Sequence, residues 1–320
     1  MRVLSDSDYG LFKRLVSLKQ TELQQAMAKY LKAKYNNVIF TKDYLVAIGD
    51  IPIALVAHLD TVFKTPVSKL YYDRQEGVLW SPDGLGADDR AGVFAILKIL
   101  QDGYRPSVIF TTDEEMGGLG ASALANRNCP ISGLKYMIEL DRQGDNDCVF
   151  YECYCPEFIE YVESFGFCEQ YGTFSDISFL MPGWKICGVN LSIGYEDEHS
   201  YTEILKVESL FSTIQKVETM LSEKEIPNFQ YDDLRKLLAN DFGQHCGKCK
   251  TLHSEYDLFP VKGLDGRTRY YCPDCVVGNV EWCNICNEAF ELEDPSKKTK
   301  VCKECAEGVC IATLKNNLDQ

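Results

Sequence analysis

Carboxylates and imidazoles stand directly after apolar, strand-like segments in the first 240 residues. The stretch "VIFTTDEEMGG" at 108–118 runs from apolar residues into the adjacent acids Glu114 and Glu115. Burying two adjacent carboxylates is costly unless opposite charge compensates them. The other groups of this kind are His58-Leu59-Asp60, Asp88-Asp89, Glu139-Leu140-Asp141 and His199. Because functional groups collect at the carboxyl ends of strands in open α/β sheets, we expect these side chains to meet in one crevice.

Converging carboxylates repel one another unless cations neutralise them. A pair of divalent ions would do so, and zinc suits a mixture of imidazole and carboxylate ligands. Asp60 stands two positions after His58 and so shares its face of the strand. Its carboxylate can hydrogen-bond the ring nitrogen that does not bind a metal.

The elements that must position these residues alternate between strand and helix. Residues 8–34 have helical periodicity, and three strand-like segments follow, the last of them "IPIALVAHLD". "KLYYDRQEGVLW" indicates a hairpin, "ADDRAGVFAILKILQDG" a helix, "SVIFTT" and "KYMIELD" buried strands, and "VESLFSTIQKVETMLSEK" an amphipathic helix. This alternation predicts an α/β fold, a three-layer sandwich with a mostly parallel central sheet. We expect this domain to span residues 1–235 and a second, Cys-rich domain to span 236–320.

Five motifs over roughly residues 40–220 resemble, in their order, those of the co-catalytic di-zinc exopeptidases (metallopeptidase clan MH). They are "AHLDTV", "GADDRAG", "DEEMGG", "ELD" and "NLSIGYEDEHSYTE". That superfamily contains leucyl-type aminopeptidases, peptidase T, and related carboxypeptidases and amidohydrolases. The resemblance implies a hydrolase that cleaves an amide or peptide bond with two zinc ions.

The resemblance also implies a role for each matching residue. Asp88 would bridge both metals, His58 and Asp141 would complete one site, and Glu115 and His199 the other. Glu114 would be the general base for the attacking water, and Asp60 would orient His58. Glu139 lies two positions before Asp141 and is an alternative ligand in its place.

The spacing of the motifs narrows the substrate class. Only 57 residues separate Asp141 from His199, so the lid or dimerisation domain that many relatives insert there is absent. We therefore expect an open site and, most simply, an aminopeptidase. A deacylase, isopeptidase or carboxypeptidase would use the same site, and a non-catalytic zinc-ribbon adaptor that binds peptides is the alternative from another class. The intact Glu114 argues against the adaptor, because a pure binder needs no general base.

Eight of the fifteen cysteines form four CxxC pairs in residues 246–305. The pairs are Cys246/Cys249, Cys272/Cys275, Cys283/Cys286 and Cys302/Cys305. Four thiolates from two such pairs make a closed tetrahedral zinc site, so we expect two structural zinc ions in a zinc-ribbon or treble-clef-like module. The repeat of the pattern favours sequential pairing, the first pair with the second and the third with the fourth, although an interleaved arrangement stays open. We expect His245, His253 and Cys310 not to be ligands.

Charge and composition bear on partners and compartment. The net charge is −15, and residues 241–320 hold 10 Lys and Arg against 13 Asp and Glu, which disfavours nucleic acid as a partner. No apolar run approaches the roughly 20 residues that span a bilayer, and the N-terminus has no signal-peptide pattern. Paired CxxC motifs are typical of metal binding in a reducing compartment, here the cytosol. We expect a peptide or protein substrate, with the Cys-rich module as a protein-docking surface.

Overall fold

The computed structural model describes residues 3–233, 243–254, 257–265, 267–286, 288–293 and 300–306. The chain forms two compact units, Met1–Asp232 and Asp233–Gln320. The expected boundary between residues 235 and 236 falls within 234–242, which lie outside the described residues. Cys310 also lies outside the described residues. The extent of each domain therefore stays a prediction.

Twelve strands and seven helices build the described part of the first unit. The strands are β1 (Val38–Phe40), β2 (Tyr44–Ala47), β3 (Ile51–His58), β4 (Tyr71–Asp73), β5 (Val78–Trp80), β6 (Pro106–Thr111), β7 (Tyr136–Arg142), β8 (Asp147–Val149), β9 (Cys168–Glu169), β10 (Cys187–Ser192), β11 (Tyr195–Glu196) and β12 (Ile204–Lys206). The helices are α1 (Asp6–Val16), α2 (Gln20–Lys32), α3 (Ala87–Gln101), α4 (Leu119–Ala125), α5 (Pro156–Glu163), α6 (Ile177–Trp184) and α7 (Val207–Leu221).

Eight of these strands form one large sheet in the order β1-β2-β6-β3-β7-β10-β8-β9. The four central strands, β6, β3, β7 and β10, are parallel to one another. Their apolar side chains are almost all buried, as expected for parallel strands covered on both faces. Helices α1 and α7 each pack against α3, and α4 packs against α6. Helices α3 and α6 contact central strands. The α/β class with a mostly parallel central sheet is thus confirmed.

Helix α3 is mostly apolar after its first turn, as suits its burial against the sheet and two other helices. Val93, Phe94 and Ile96 have no exposed surface. Gly92 allows the close approach of α3 to β7, since a Cβ atom at this position would clash with the carbonyl oxygen of Leu140. This approach brings the first turn of α3 to the carboxyl end of β7.

The described part of the second unit contains two small sheets. Its strands are β13 (Gly243–His245), β14 (Leu252–Ser254), β15 (Phe259–Lys262), β16 (Thr268–Tyr271), β17 (Val280–Trp282) and β18 (Ala289–Glu291), and its described helices are α8 (Pro273–Val276) and α9 (Lys303–Ala306). Strands β13 and β14 pair alone, whereas the other four form one sheet in the order β16-β15-β18-β17. None of the helices in the described ranges combines the length and apolar character that a bilayer span requires.

Candidate metal centre and active site

The expected site residues meet at one edge of the large sheet. His58 ends β3, Glu114 and Glu115 follow β6, and Asp141 lies near the end of β7. Asp88 is in the first turn of α3, and His199 lies in the connection between β11 and β12, which belong to a small sheet of order β11-β12-β5-β4. The parallel arrangement of β6, β3 and β7 explains why three of these positions share one edge.

Asp88 contacts both imidazoles of the site, one with each carboxylate oxygen. Its Oδ1 lies 3.0 Å from Nε2 of His58, and its Oδ2 lies 3.0 Å from Nε2 of His199. Nε2 of His199 is also 3.0 Å from Oε2 of Glu115, and Nε2 of His58 is 3.5 Å from Oδ1 of Asp141. The arrangement consists of two clusters of ligand atoms that share one carboxylate.

Asp60 joins the strand carrying His58 to the loop carrying the two glutamates. Its Oδ1 lies 3.2 Å from Nδ1 of His58. The same carboxylate accepts the backbone N–H of Glu114 at 3.1 Å and that of Glu115 at 3.0 Å. Asp60 therefore contacts the ring of His58 and the backbone of the loop at the same time.

A β-bulge separates Glu139 from Asp141. The pairing of β7 with β10 shifts register between Asn190/Glu139 and Ser192/Arg142. At the shift, the side-chain amide of Asn190 bonds the backbone of Asp141 in place of a partner strand's backbone. Its Oδ1 accepts the N–H of Asp141 at 2.9 Å, and its Nδ2 donates to the carbonyl of Asp141 at 2.8 Å. The carboxylate of Asp141 faces His58, whereas Glu139 accepts the N–H of Ile177 at 3.4 Å. The geometry places Asp141, not Glu139, beside the imidazole.

Burial and mutual repulsion disfavour the charged forms of the clustered acids. Burial, together with repulsion from other carboxylates, raises the pKa of Glu114 to about 9, although His58 opposes the shift. Burial and the neighbouring Asp88 raise the pKa of Glu115 to about 7 and that of Asp141 to about 6. A divalent cation among these groups would stabilise their charged forms and lower all three values.

The donor set fits two divalent cations. Possible ligand atoms of His58, Asp88 and Asp141 lie within 4.8 Å of one another, and so do those of Asp88, Glu115 and His199. Imidazole and carboxylate are zinc ligands, and each cluster offers one imidazole and two carboxylates. His58, Glu114 and Glu115 also satisfy this distance, so Glu114 lies within reach of the same centre.

Sequence reasoning missed Glu203, which holds the backbone beneath Asp88. Its carboxylate is buried and accepts the N–H of Gly86 at 2.7 Å and that of Asp88 at 3.0 Å. Tyr195 was also missed. It and Ser175 each donate a hydroxyl hydrogen bond to Asp141 at 3.1 Å. The signal for Glu203 was its place in "HSYTE", four residues after the histidine, but a single acid in a loop has no readable periodicity.

Two cavities adjoin the centre. The first, here the polar cavity, has a volume of about 440 Å³ and is lined by Glu114, Asp141, Arg142, Glu198 and His199 among others. The second, here the apolar cavity, has a volume of about 540 Å³ and is lined by Phe63, Pro66, Leu85 and Met116 among others. Glu115 borders both cavities. The centre is therefore accessible from two sides, one rich in charge and one rich in apolar surface.

The eight cysteines of the second unit form two groups of four thiols. One contains Cys246, Cys249, Cys272 and Cys275, and the other contains Cys283, Cys286, Cys302 and Cys305. The Sγ atoms of Cys249 and Cys272 are 3.8 Å apart, and those of Cys286 and Cys302 are 3.9 Å apart. Ligands at the usual Zn–S distance in a tetrahedral site are about 3.8 Å apart, so both groups fit zinc. Neither group contains His245 or His253.

Sheet pairing joins the two cysteine groups. Strand β15, between the first two CxxC pairs, pairs in parallel with β18, between the last two, at Lys262 and Phe290. Backbone N–H groups also point at the thiols: Cys302 donates to Sγ of Cys283 at 3.4 Å. Burial raises the pKa of Cys283, but such donors outweigh it and lower the value to about 6. The thiolate form of Cys283, which binds zinc, is thereby favoured, whereas burial raises the pKa of Cys286 to about 11.

Comparison with known proteins points to peptidases. The model of peptidase family M28 matches residues 37–156, a segment that contains six of the seven expected active-site residues. No curated protein matches the sequence.

Solved structures with the same fold include aminopeptidases and a tripeptidase. A tripeptidase from Staphylococcus aureus subsp. aureus Mu50 has a TM-score of 0.55 and 15% identity, over 68% of this chain and 98% of its own. A TET aminopeptidase from a marine sediment Thaumarchaeota archaeon has a TM-score of 0.55 and 13% identity, over 69% of this chain and 98% of its own. Aminopeptidase PepT from Bacillus cereus ATCC 10987 has a TM-score of 0.51 and 16% identity, over 66% of this chain and 96% of its own.

The match to the family model and the shared fold confirm the resemblance to the clan MH exopeptidases, and they support a peptidase hydrolase. At these identities the structures show the fold alone. Residues 37–156, in the N-terminal unit, thus resemble peptidase family M28.

Proposed function

We propose that this chain is a zinc-dependent aminopeptidase. The observation that carries the proposal is Asp88, whose two carboxylate oxygens lie 3.0 Å from the imidazoles of His58 and His199. A carboxylate shared in this way suits two cations bound side by side. Peptidases of family M28 are metal-dependent, typically on zinc, and structures with the same fold are named aminopeptidases.

Two clusters would hold the zinc ions: His58, Asp88 and Asp141 for one, and Asp88, Glu115 and His199 for the other. When bound, the ions would supply Lewis acidity to the attacking water and to the scissile carbonyl. His58 is fully buried, whereas the side chain of His199 is 52% exposed. The substrate therefore approaches from the side of His199.

Glu114 serves as the general base. Its side chain is mostly buried, borders the polar cavity and lies within reach of the ligand atoms of His58 and Glu115. It takes a proton from water as the C–O bond forms, and it returns that proton to the amine as the C–N bond breaks. The loop holds Glu114 in position because its backbone N–H donates to Asp60.

The second unit holds two structural zinc ions and serves as a docking module. Thiolate ligands require reduced cysteines, which supports a cytosolic location. Phe259 and Trp282, both partly exposed, line a cavity of about 320 Å³ together with Lys262 and Glu288. This surface suits a protein or peptide partner, since aromatic residues are enriched at such interfaces.

The test is zinc content and peptide hydrolysis of the full chain. We expect four zinc ions by elemental mass spectrometry, and hydrolysis that a chelator abolishes and added zinc restores. Peptides with a free N-terminus should be cleaved and N-acetylated peptides should not, which separates an aminopeptidase from a deacylase or carboxypeptidase. A zinc-loaded chain that cleaves no peptide would instead support the non-catalytic adaptor.

A further inference from the structure

Arg142 lines the polar cavity beside the proposed active site. Among the described residues that border this cavity, it is the one with a permanently charged cationic side chain. It directly follows Asp141 in β7, at the bulge where β7 shifts register against β10. Successive strand residues normally point to opposite faces, but a bulge changes the direction of the side chains next to it. Asp141 and Arg142 consequently border the same cavity.

The guanidinium of Arg142 is poorly paired. Its nearest ion pair in the described residues is with Asp147, at 3.8 Å between Nη2 and Oδ2. Its Nε is buried and has no hydrogen-bond partner among the described residues. A buried donor without a partner is unfavourable. The side chain is nevertheless 26% exposed and borders the cavity, so an anionic ligand can reach its terminal Nη groups. A carboxylate matches a guanidinium with two parallel hydrogen bonds.

Glu198 adds the opposite charge to the same cavity. One of its oxygens, Oε1, accepts a hydrogen bond from Nε2 of Gln143 at 2.8 Å. No hydrogen bond to its other oxygen comes from the described residues, so a cationic group of a ligand, such as an α-ammonium, can bind there. Arg142 and Glu198 together thus complement a substrate that carries both a carboxylate and an ammonium group.

We propose that Arg142 is a specificity-determining residue that binds a carboxylate of the peptide substrate. The inference rests on the proposed peptidase function and names the substrate class for the same site. Two sources of the carboxylate share this chemistry: the side chain of an N-terminal aspartate or glutamate, and the C-terminal carboxylate of a short peptide. Glu198 would bind the α-ammonium in either case.

The experiment measures kcat/KM of the zinc-loaded full chain on matched peptides. One arm compares N-terminal glutamate with its neutral isostere glutamine in C-terminally amidated peptides. The other compares free and amidated C-termini in dipeptides that begin with leucine. We expect a preference of about tenfold or more for the carboxylate in one arm, because a site built for a polar group rejects its neutral analogue. That arm identifies the source.

Variants at Arg142 connect the preference to the residue. Arg142→Gln should reduce the preference for the carboxylate-bearing peptide to about twofold or less, and Arg142→Lys should keep part of that preference. Arg142→Glu should favour peptides with an N-terminal lysine. Arg74→Gln, at an exposed arginine in the β4–β5 hairpin, is the matched control and should change nothing. Zinc content and circular dichroism establish that each variant is folded.

The outcomes separate this inference from the function on which it rests. Cleavage of all peptides at similar rates, or a preference that Arg142→Gln leaves unchanged, would overturn the role of Arg142 and leave the peptidase intact. Absence of any cleavage would overturn both. If Arg142→Gln does not fold, inhibition of the wild type replaces it: glutamate or a dipeptide with a free C-terminus should inhibit at least tenfold better than the uncharged analogue.

Discussion

Nδ1 of His58 lies 3.2 Å from Oδ1 of Asp60, while Nε2 of the same ring lies 3.0 Å from Asp88. The ring is therefore held between two carboxylates, one on each nitrogen. Because Asp60 also accepts two backbone N–H groups from the loop of Glu114 and Glu115, the ring and the loop are positioned together.

Asp60→Asn should weaken zinc binding without unfolding the protein. The asparagine keeps the size of the side chain but loses the negative charge beside the imidazole, so His58 becomes a poorer ligand. Loss of such a supporting carboxylate lowers metal affinity about 10–100-fold. Competition with a chromophoric chelator measures the affinity. Asp73→Asn, on the exposed β4–β5 hairpin, is the control. Equal affinity in both variants would show that Asp60 does not support the ligand.

Glu114→Gln and Glu115→Gln should have different consequences despite their adjacency. The first variant should keep both catalytic zinc ions and lose about 10²–10⁴-fold in kcat, the usual contribution of a general base. The second should lose zinc, because Glu115 contacts His199 and shares a ligand cluster with it. Metal analysis and peptide hydrolysis on the same samples distinguish the two. Zinc loss in Glu114→Gln would make Glu114 a ligand and remove the assigned base.

The sequence was sufficient for the elements that bring the site together. Apolar runs marked β3, β6 and β7, and parallel strands place their carboxyl ends at one edge, which brings His58, Glu114 and Asp141 into proximity. It was insufficient for choosing between Glu139 and Asp141. Counting with period two puts both on one face, and only the bulge opposite Asn190 separates them.

The conformation of the loops could not be predicted from the sequence either. His199 has a positive φ of 63° and Asp197 one of 56°. No pattern of residue types predicts such a left-handed backbone conformation at non-glycine residues. The contact of Glu203 with Gly86 and Asp88 joins positions more than a hundred residues apart. Tertiary packing alone specifies it, so it could not be predicted from local periodicity.

Glu203 should matter for the stability of the turn that presents Asp88. Glu203→Leu would leave the N–H groups of Gly86 and Asp88 buried without an acceptor, at about 1–3 kcal/mol each. Glu203→Gln keeps one carbonyl acceptor and should cost less. Urea unfolding measures the free energy, and Glu76→Leu, on the exposed hairpin, is the control. If both Glu203 variants unfold at the wild-type urea midpoint, the hydrogen bonds seen here do not support the turn.

The grouping of the cysteines can be read from pairs of substitutions in the full chain. Cys249 and Cys275 belong to one group of thiols, and Cys249 and Cys286 belong to different groups. Since a structural zinc site needs all four ligands, Cys249→Ser with Cys275→Ser should remove one zinc ion. Cys249→Ser with Cys286→Ser should remove two. An interleaved arrangement, with the first CxxC pair joined to the third, predicts the reverse order. Both double variants lose two thiols, so a difference in their zinc content by elemental mass spectrometry reflects the grouping and not the number of cysteines removed. Hydrolysis of a short peptide should be unchanged in both, because the catalytic ligands lie in the first unit.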